Sequence, residues 1–253
     1  MRKLLVLPII FLLLLSACSA GPTKEATLYV AAPMSGFQAN GGQTVVGGVK
    51  LKAEEANRAG GVAGYKINVV ALDDESDPDV ALSITEEVNA ALQQGETVLG
   101  FIGHYNSGET LAAMEVYGDL PLVVITSNAS NVALTQKGYD KFFRIVANDR
   151  VQADADAEFL VNELDAHRVA MLYNDTAYGR GLHQEMERAL TALGAEIVLA
   201  QEVKEAQDRY PDEVAAIRNT QPDVIFYAGY EIEAPYLRAD FVEAGVAIPM
   251  LAF

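Results

Sequence analysis

"TVLGFIGHYNSGETLAAMEVYGDLPLVVIT" (residues 97–126) decides the architecture. An apolar run, "TVLGFIG" (97–103), leads through a short polar loop into residues 107–118, which read as a helix. "PLVVIT" (121–126) is apolar again. Continuous apolar strands alternating with helices belong to parallel sheets covered on both faces.

The alternation extends in both directions. Upstream, "TLYVAAP" (27–33) reads as a strand and residues 41–61 as a helix, with Val46, Val49, Ala53 and Ala56 at three- and four-residue intervals and Gly60-Gly61 as its stop. Residues 66–74 form the next strand, and Asp77-Pro78 caps a helix running to Gln94. After "FFRIV" (142–146) the pattern restarts with a helix from Val151 to Leu164. Strands over 168–174, 196–203, 223–229 and 248–253 then alternate with helices over 178–193, 211–219 and 233–244.

The fold class expected is therefore α/β, with two Rossmann-like lobes built on parallel sheets. The N-terminal lobe spans 27–146 and the C-terminal lobe 147–253. The sequence stops inside an apolar strand at Phe253, so the second lobe and its return segments are expected to be incomplete.

Open parallel sheets bind ligands beyond the carboxyl ends of their strands. "GHYNSGET" (103–110) lies at such an end and holds the residue types of an active site. His104 and Ser107 are three apart, but no acid is fixed behind the histidine and no G-x-S-x-G elbow is present. As a metal site, His104 and Glu109 lack a third spaced ligand. "GGQTVVGG" (41–48) has phosphate-loop glycine spacing from Gly42 to Gly47, yet Gly48-Val49 follows where Lys-Ser/Thr is required. In "DDESDP" (73–78), Asp73, Glu75 and Asp77 alternate like the opening of a calcium loop, whose glycine and glutamate are replaced by Pro78 and Ile84. No catalytic residue, metal or cofactor is expected.

The sequence carries 35 acidic and 18 basic residues, a net charge of −17. That balance argues against nucleic acid, which needs a basic footprint. The start, "MRKLLVLPIIFLLLLSAC" (1–18), has Arg2 and Lys3 before an apolar run too short to span a membrane comfortably. It reads as an export signal over 1–17. Cys18 sits where a bacterial lipobox places its lipidated cysteine, followed by a small, polar tether to residue 26. The expectation is an exported lipoprotein, anchored in a membrane and facing the periplasm or the cell exterior.

What remains is binding. Ser107, in a loop that opens a helix, has its hydroxyl beside free backbone N–H groups and the positive helix end, a setting that favours a carboxylate. "TSNASN" (126–131) supplies a second hydroxyl-bearing loop through Ser130. Either serine alone reads first as a helix cap; their matched placement at neighbouring strand ends points to binding.

Several pieces together resemble the leucine/isoleucine/valine-binding protein family of type I periplasmic binding proteins. They are "APMSG" (32–36), "NRAGGVAGYKINVVALDDESDP" (57–78), "GHYNSGET", "VITSNAS" (124–130) and "NDTAYGRGL" (174–182). The resemblance implies two lobes that close on an amino acid, branched-chain or similarly aliphatic, for delivery to an ABC transporter permease. Carried over by position, Ser107 and Ser130 would hold the ligand carboxylate, and Asn128 would offer its carbonyl to the ammonium. Tyr105 would lie beside the side-chain pocket, with Tyr178 and Tyr230 closing from the second lobe. Gly41 stands where the family often has an aromatic residue, which implies a wider or differently shaped pocket. The family's acid for the ammonium would follow "MLAF" (250–253). Amides, urea or aromatic acids as ligands, or a sensor domain in place of a transport component, are the alternatives.

Overall fold

The computed structural model describes residues 24–252, so the export signal and the lipidation of Cys18 lie outside the described residues. In the first half, β1 (Lys24–Ala32), α1 (Ala39–Arg58), β2 (Tyr65–Asp73), α2 (Pro78–Gln93), β3 (Val98–Ile102), α3 (Ser107–Tyr117), β4 (Val124–Thr126) and β5 (Phe142–Arg144) follow in turn. The second half comprises α4 (Asp149–Glu158), β6 (Arg168–Asn174), α5 (Ala177–Ala192), β7 (Glu196–Val203), α6 (Pro211–Thr220), β8 (Val224–Ala228), α7 (Ala234–Glu243) and β9 (Met250–Ala252). The strands form two sheets, ordered β2-β1-β3-β4-β5 and β7-β6-β8-β9, with parallel neighbours throughout.

Burial on both faces explains why the strands read as continuous apolar runs. Along β6, Val169 and Met171 face a core shared with Leu182 and Met186 of α5. The intervening Ala170 and Leu172 face another, with Ile217 of α6 and Phe241 of α7. The first sheet is built alike: Tyr29 and Phe101 pack with Val88 and Ala113 on one face, and Val30 and Ala32 with Val46 on the other.

Several boundaries differ from the sequence-based expectation. β1 begins at Lys24, inside the stretch expected as tether, because Lys24–Ala26 pair with Tyr65–Ile67 and Ala26 is buried. β4 keeps only Val124–Thr126, since its run opens on Pro121, which has no N–H to donate. Phe142–Arg144 adds an edge strand, β5, not anticipated as one. The helix expected to reach Leu164 ends at Glu158 and widens into a π turn over Phe159–Glu163, where consecutive residues Leu160 and Val161 are both buried.

The acidic stretch after β2 is used locally. Asp73 Oδ1 accepts from the Met34 and Glu75 amides at 2.7 and 3.0 Å. Asp77 Oδ1 caps α2 through Asp79 N at 2.7 Å. The Asp73–Met34 bond holds the β1 and β2 exits together at the carboxyl edge of the sheet.

Candidate functional site

The carboxyl edges of the two sheets face each other across a cleft of about 310 Å³. From the first lobe it is lined by Gln38 after β1, Tyr105, Asn106 and Ser107 after β3, and Asn128, Ala129 and Ser130 after β4. Val146 and Ala147 line it where the chain crosses over, and Gln152, Tyr178, Gly229, Tyr230 and Glu231 come from the second lobe. All six side chains singled out from the sequence for ligand contact, Tyr105, Ser107, Asn128, Ser130, Tyr178 and Tyr230, border this one cavity.

Neither serine is a helix cap. Asn106 occupies the N-cap of α3, and the Ser107 hydroxyl accepts from the Asn131 amide at 3.2 Å. That bond ties the β3 loop to the β4 loop. Ser130 acts structurally through its carbonyl, which accepts from Asp149 N at 2.9 Å and from Arg144 at 3.2 Å. Asn131 then crosses the cleft, donating from Nδ2 to the Ala177 carbonyl at 3.0 Å.

Ala177 is the first residue of α5, whose N-cap Thr176 accepts from Gly179 N at 3.1 Å. A Cβ placed on Gly108 would sit 3.8 Å from Ala177 Cβ, so the N-termini of α3 and α5 meet at one end of the cleft. Two converging positive helix ends with hydroxyls beside them suit an anion. No lysine or arginine lines the cavity among the described residues. Arg144, the nearby cation, is turned to the carbonyls of Ser130 and Asn131 and the hydroxyl of Thr135.

The second lobe contributes an aromatic wall. Tyr178 and Tyr230 stack with centroids 5.8 Å apart and planes 12° from parallel, and Phe37 of the first lobe lies 6.1 Å from Tyr230. Burial raises both phenol pKa values, so these rings stay neutral. Beneath them, the buried Glu233 carboxylate accepts from Tyr230 N at 3.0 Å, Asn174 Nδ2 at 3.0 Å, Tyr227 OH at 2.5 Å and Ala206 N at 2.8 Å.

Gly41 has a specific role. A Cβ there would lie 2.5 Å from the Tyr105 hydroxyl oxygen and 2.9 Å from its Cζ. The space expected to widen the pocket is therefore occupied by the Tyr105 ring.

His104 and Glu109, the residues that suggested catalysis, lie under the cleft floor. The His104 Nδ1 is 2.9 Å from Asp74 Oδ2, its Nε2 is 3.3 Å from the Tyr117 hydroxyl, and both His104 and Asp74 are fully buried. Glu109 accepts from Asn106 Nδ2 at 3.3 Å, and burial raises its pKa to about 7.

Sequence reasoning missed Gln38, Gln152 and Glu231. Glu231 is the one carboxylate lining the cleft among the described residues, and it directly follows "YAGY" at a strand's carboxyl end, a signal that could have found it. Gln38 offers no such signal, because a glutamine before a helix ordinarily faces solvent.

Residues 29–253 match the family model described as periplasmic binding protein. An amino acid binding protein of Pseudomonas aeruginosa is 29% identical over 88% of this chain and 58% of its own length. A Leu/Ile/Val-binding protein homolog of Brucella abortus is 28% identical over 85% of this chain and 56% of its own. This chain thus spans a little over half the length of these relatives. Among solved structures, the branched-chain amino acid transporter substrate binding protein LivJ of Streptococcus pneumoniae, in complex with isoleucine, superposes with a TM-score of 0.80 at 25% identity, covering 90% of this chain and 64% of that one. The leucine binding protein LivK of Thermotoga maritima gives 0.80 at 24% identity, with 90% and 63% covered, a likeness of fold. With paired parallel sheets, a cleft between their carboxyl edges and a family match over nearly the whole chain, the protein belongs to the periplasmic binding protein family.

Proposed function

We propose that this protein is a non-enzymatic, extracytoplasmic solute-binding component of an ABC importer, closing its two lobes on an α-amino acid. The observation that carries this reading is the polarity of the cleft. Ser107, Ser130 and two helix N-termini gather at one end without a lysine or arginine, and a single carboxylate, Glu231, borders the cavity from the second lobe. A zwitterion has the charge distribution such a cleft complements. Its carboxylate would accept from the two hydroxyls and the loop amides. Its ammonium would face Glu231 and donate to the carbonyl of Asn128. Tyr105 would flank the side chain, and Tyr178 with Tyr230 would cover it.

Because the cleft is shared between lobes, a ligand that touches both favours the closed arrangement by its differential affinity for that state. The names of the Leu/Ile/Val-binding relatives support an amino acid as cargo, and a membrane permease would receive it. Attachment through a lipidated Cys18 would keep the protein beside that permease.

Calorimetric titration with an amino acid, its decarboxylated amine and its deaminated acid tests the reading. Measurable binding of the amino acid is expected, with both truncated compounds at least tenfold weaker. An amine that binds as tightly as the parent amino acid would refute the carboxylate cradle.

A further inference from the structure

Gln38 is 3% exposed and lines the cleft, at the N-cap position of α1. It does not cap that helix with its side chain. Instead its Oε1 accepts from two donors, the Ser76 hydroxyl at 2.8 Å and Asn106 Nδ2 at 2.7 Å. Asn106 Nδ2 also points to the Glu109 carboxylate at 3.3 Å. Glu109 Oε1 accepts from the Asn106 amide, which orients it, and Asn106 in turn orients Gln38 with its oxygen inward. The remaining end of Gln38 is Nε2, which is buried and finds no hydrogen-bond partner in the protein.

A buried amide N–H₂ without an acceptor is destabilising, and a ligand that supplies the acceptor gains what the empty cleft lacks. The sheet order says which part of a ligand could do so. β3 is flanked by β1 on one side and β4 on the other. Ser107 after β3 and Ser130 after β4 thus lie toward one flank, and Gln38 after β1 toward the opposite one. A ligand whose carboxylate sits at the serines extends its side chain past Tyr105 toward Gln38.

We infer that Gln38 Nε2 donates to an acceptor on the ligand's side chain, so that the cleft prefers amino acids bearing a side-chain carbonyl or hydroxyl over purely aliphatic ones of the same size. The inference rests on the amino-acid reading above and narrows its substrate class. A branched aliphatic side chain would leave Nε2 unpaired on closure, a penalty that a polar isostere avoids.

The test is calorimetric titration of the protein with near-isosteric pairs, asparagine against leucine and glutamine against norleucine, repeated on Gln38→Met and Gln38→Glu. In the native protein the polar member of at least one pair should bind tenfold or more tighter than its aliphatic partner. Gln38→Met should bring that ratio to near unity by improving the aliphatic ligand or weakening the polar one. Gln38→Glu keeps an acceptor for Ser76 and Asn106 but removes the donor, and should abolish the preference even if the methionine variant does not fold. Equal or tighter binding of the aliphatic members by the native protein would overturn the inference and leave the amino-acid reading standing. So would variants that weaken both members of a pair equally, which would place Gln38 at the common carboxylate. Failure of every amino acid tested would overturn the amino-acid reading itself, and the inference with it.

Discussion

Gly41 and Tyr105 are matched as space and filler: a Cβ on Gly41 would fall 2.5 Å from the Tyr105 hydroxyl oxygen. The phenol thus takes up volume that a side chain from α1 would otherwise occupy. Gly41→Ala should push the ring into the cleft, since overpacking of this kind costs about 1–3 kcal/mol. The expected outcome is weaker ligand binding by calorimetry, with recovery in Gly41→Ala/Tyr105→Val, where the ring is gone. A single variant that binds like the native protein would show that the ring moves freely.

Ser130 holds its loop through a backbone carbonyl, which a change of side chain leaves in place. Ser130→Ala should leave the ligand-free melting temperature within a degree or two. Ligand binding should weaken by about 1–3 kcal/mol, the cost of leaving a charged group short of a partner. Unchanged affinity would remove Ser130 from the carboxylate site.

Burial raises the Glu109 pKa from 4.5 to about 7. The folded state therefore holds this proton more tightly than the unfolded state does. The resulting stability is fully present below about pH 4.5 and is lost as pH rises through 7, a swing on the order of 3 kcal/mol. Asp149, raised to about 6 by burial, acts in the same direction. Denaturant titrations should show Glu109→Gln matching the native protein near pH 4 and exceeding it near pH 8. A native profile that rises between those values would contradict the sign.

Four donors converge on the Glu233 carboxylate, which is 1% exposed. Glu233→Ala would leave several of them buried without an acceptor, at a cost of about 3–5 kcal/mol. Because one donor is the Tyr230 amide, ligand affinity should fall together with stability. Urea unfolding of the variant, read by circular dichroism, checks the first effect.

Much of the site was legible because its residues follow strand ends. Once "TVLGFIG" and "PLVVIT" are read as parallel strands, Ser107 and Ser130 fall at the same edge, and "YAGY" brings Tyr230 to the opposing one. Gln38 was not legible, because its significance lies in an unpaired nitrogen and in partners 38 and 68 residues away. The same holds for Asn131, whose bond to Ala177 depends on how the lobes meet. The buried role of His104 was not legible either. Its ring satisfies Asp74 and Tyr117 beneath the loop, and sequence spacing cannot distinguish a buried hydrogen-bonder from a reactive one.

Three of the protein's 11 tyrosines, Tyr105, Tyr178 and Tyr230, border the cleft, and the sequence contains no tryptophan. Tyrosine emission is usually lost by energy transfer to indole, and here there is no indole to receive it. Excitation near the phenol band therefore yields a signal to which three cleft rings contribute, the stacked Tyr178–Tyr230 pair among them. The protein thus carries an intrinsic, label-free optical reporter at the place where its cargo would bind.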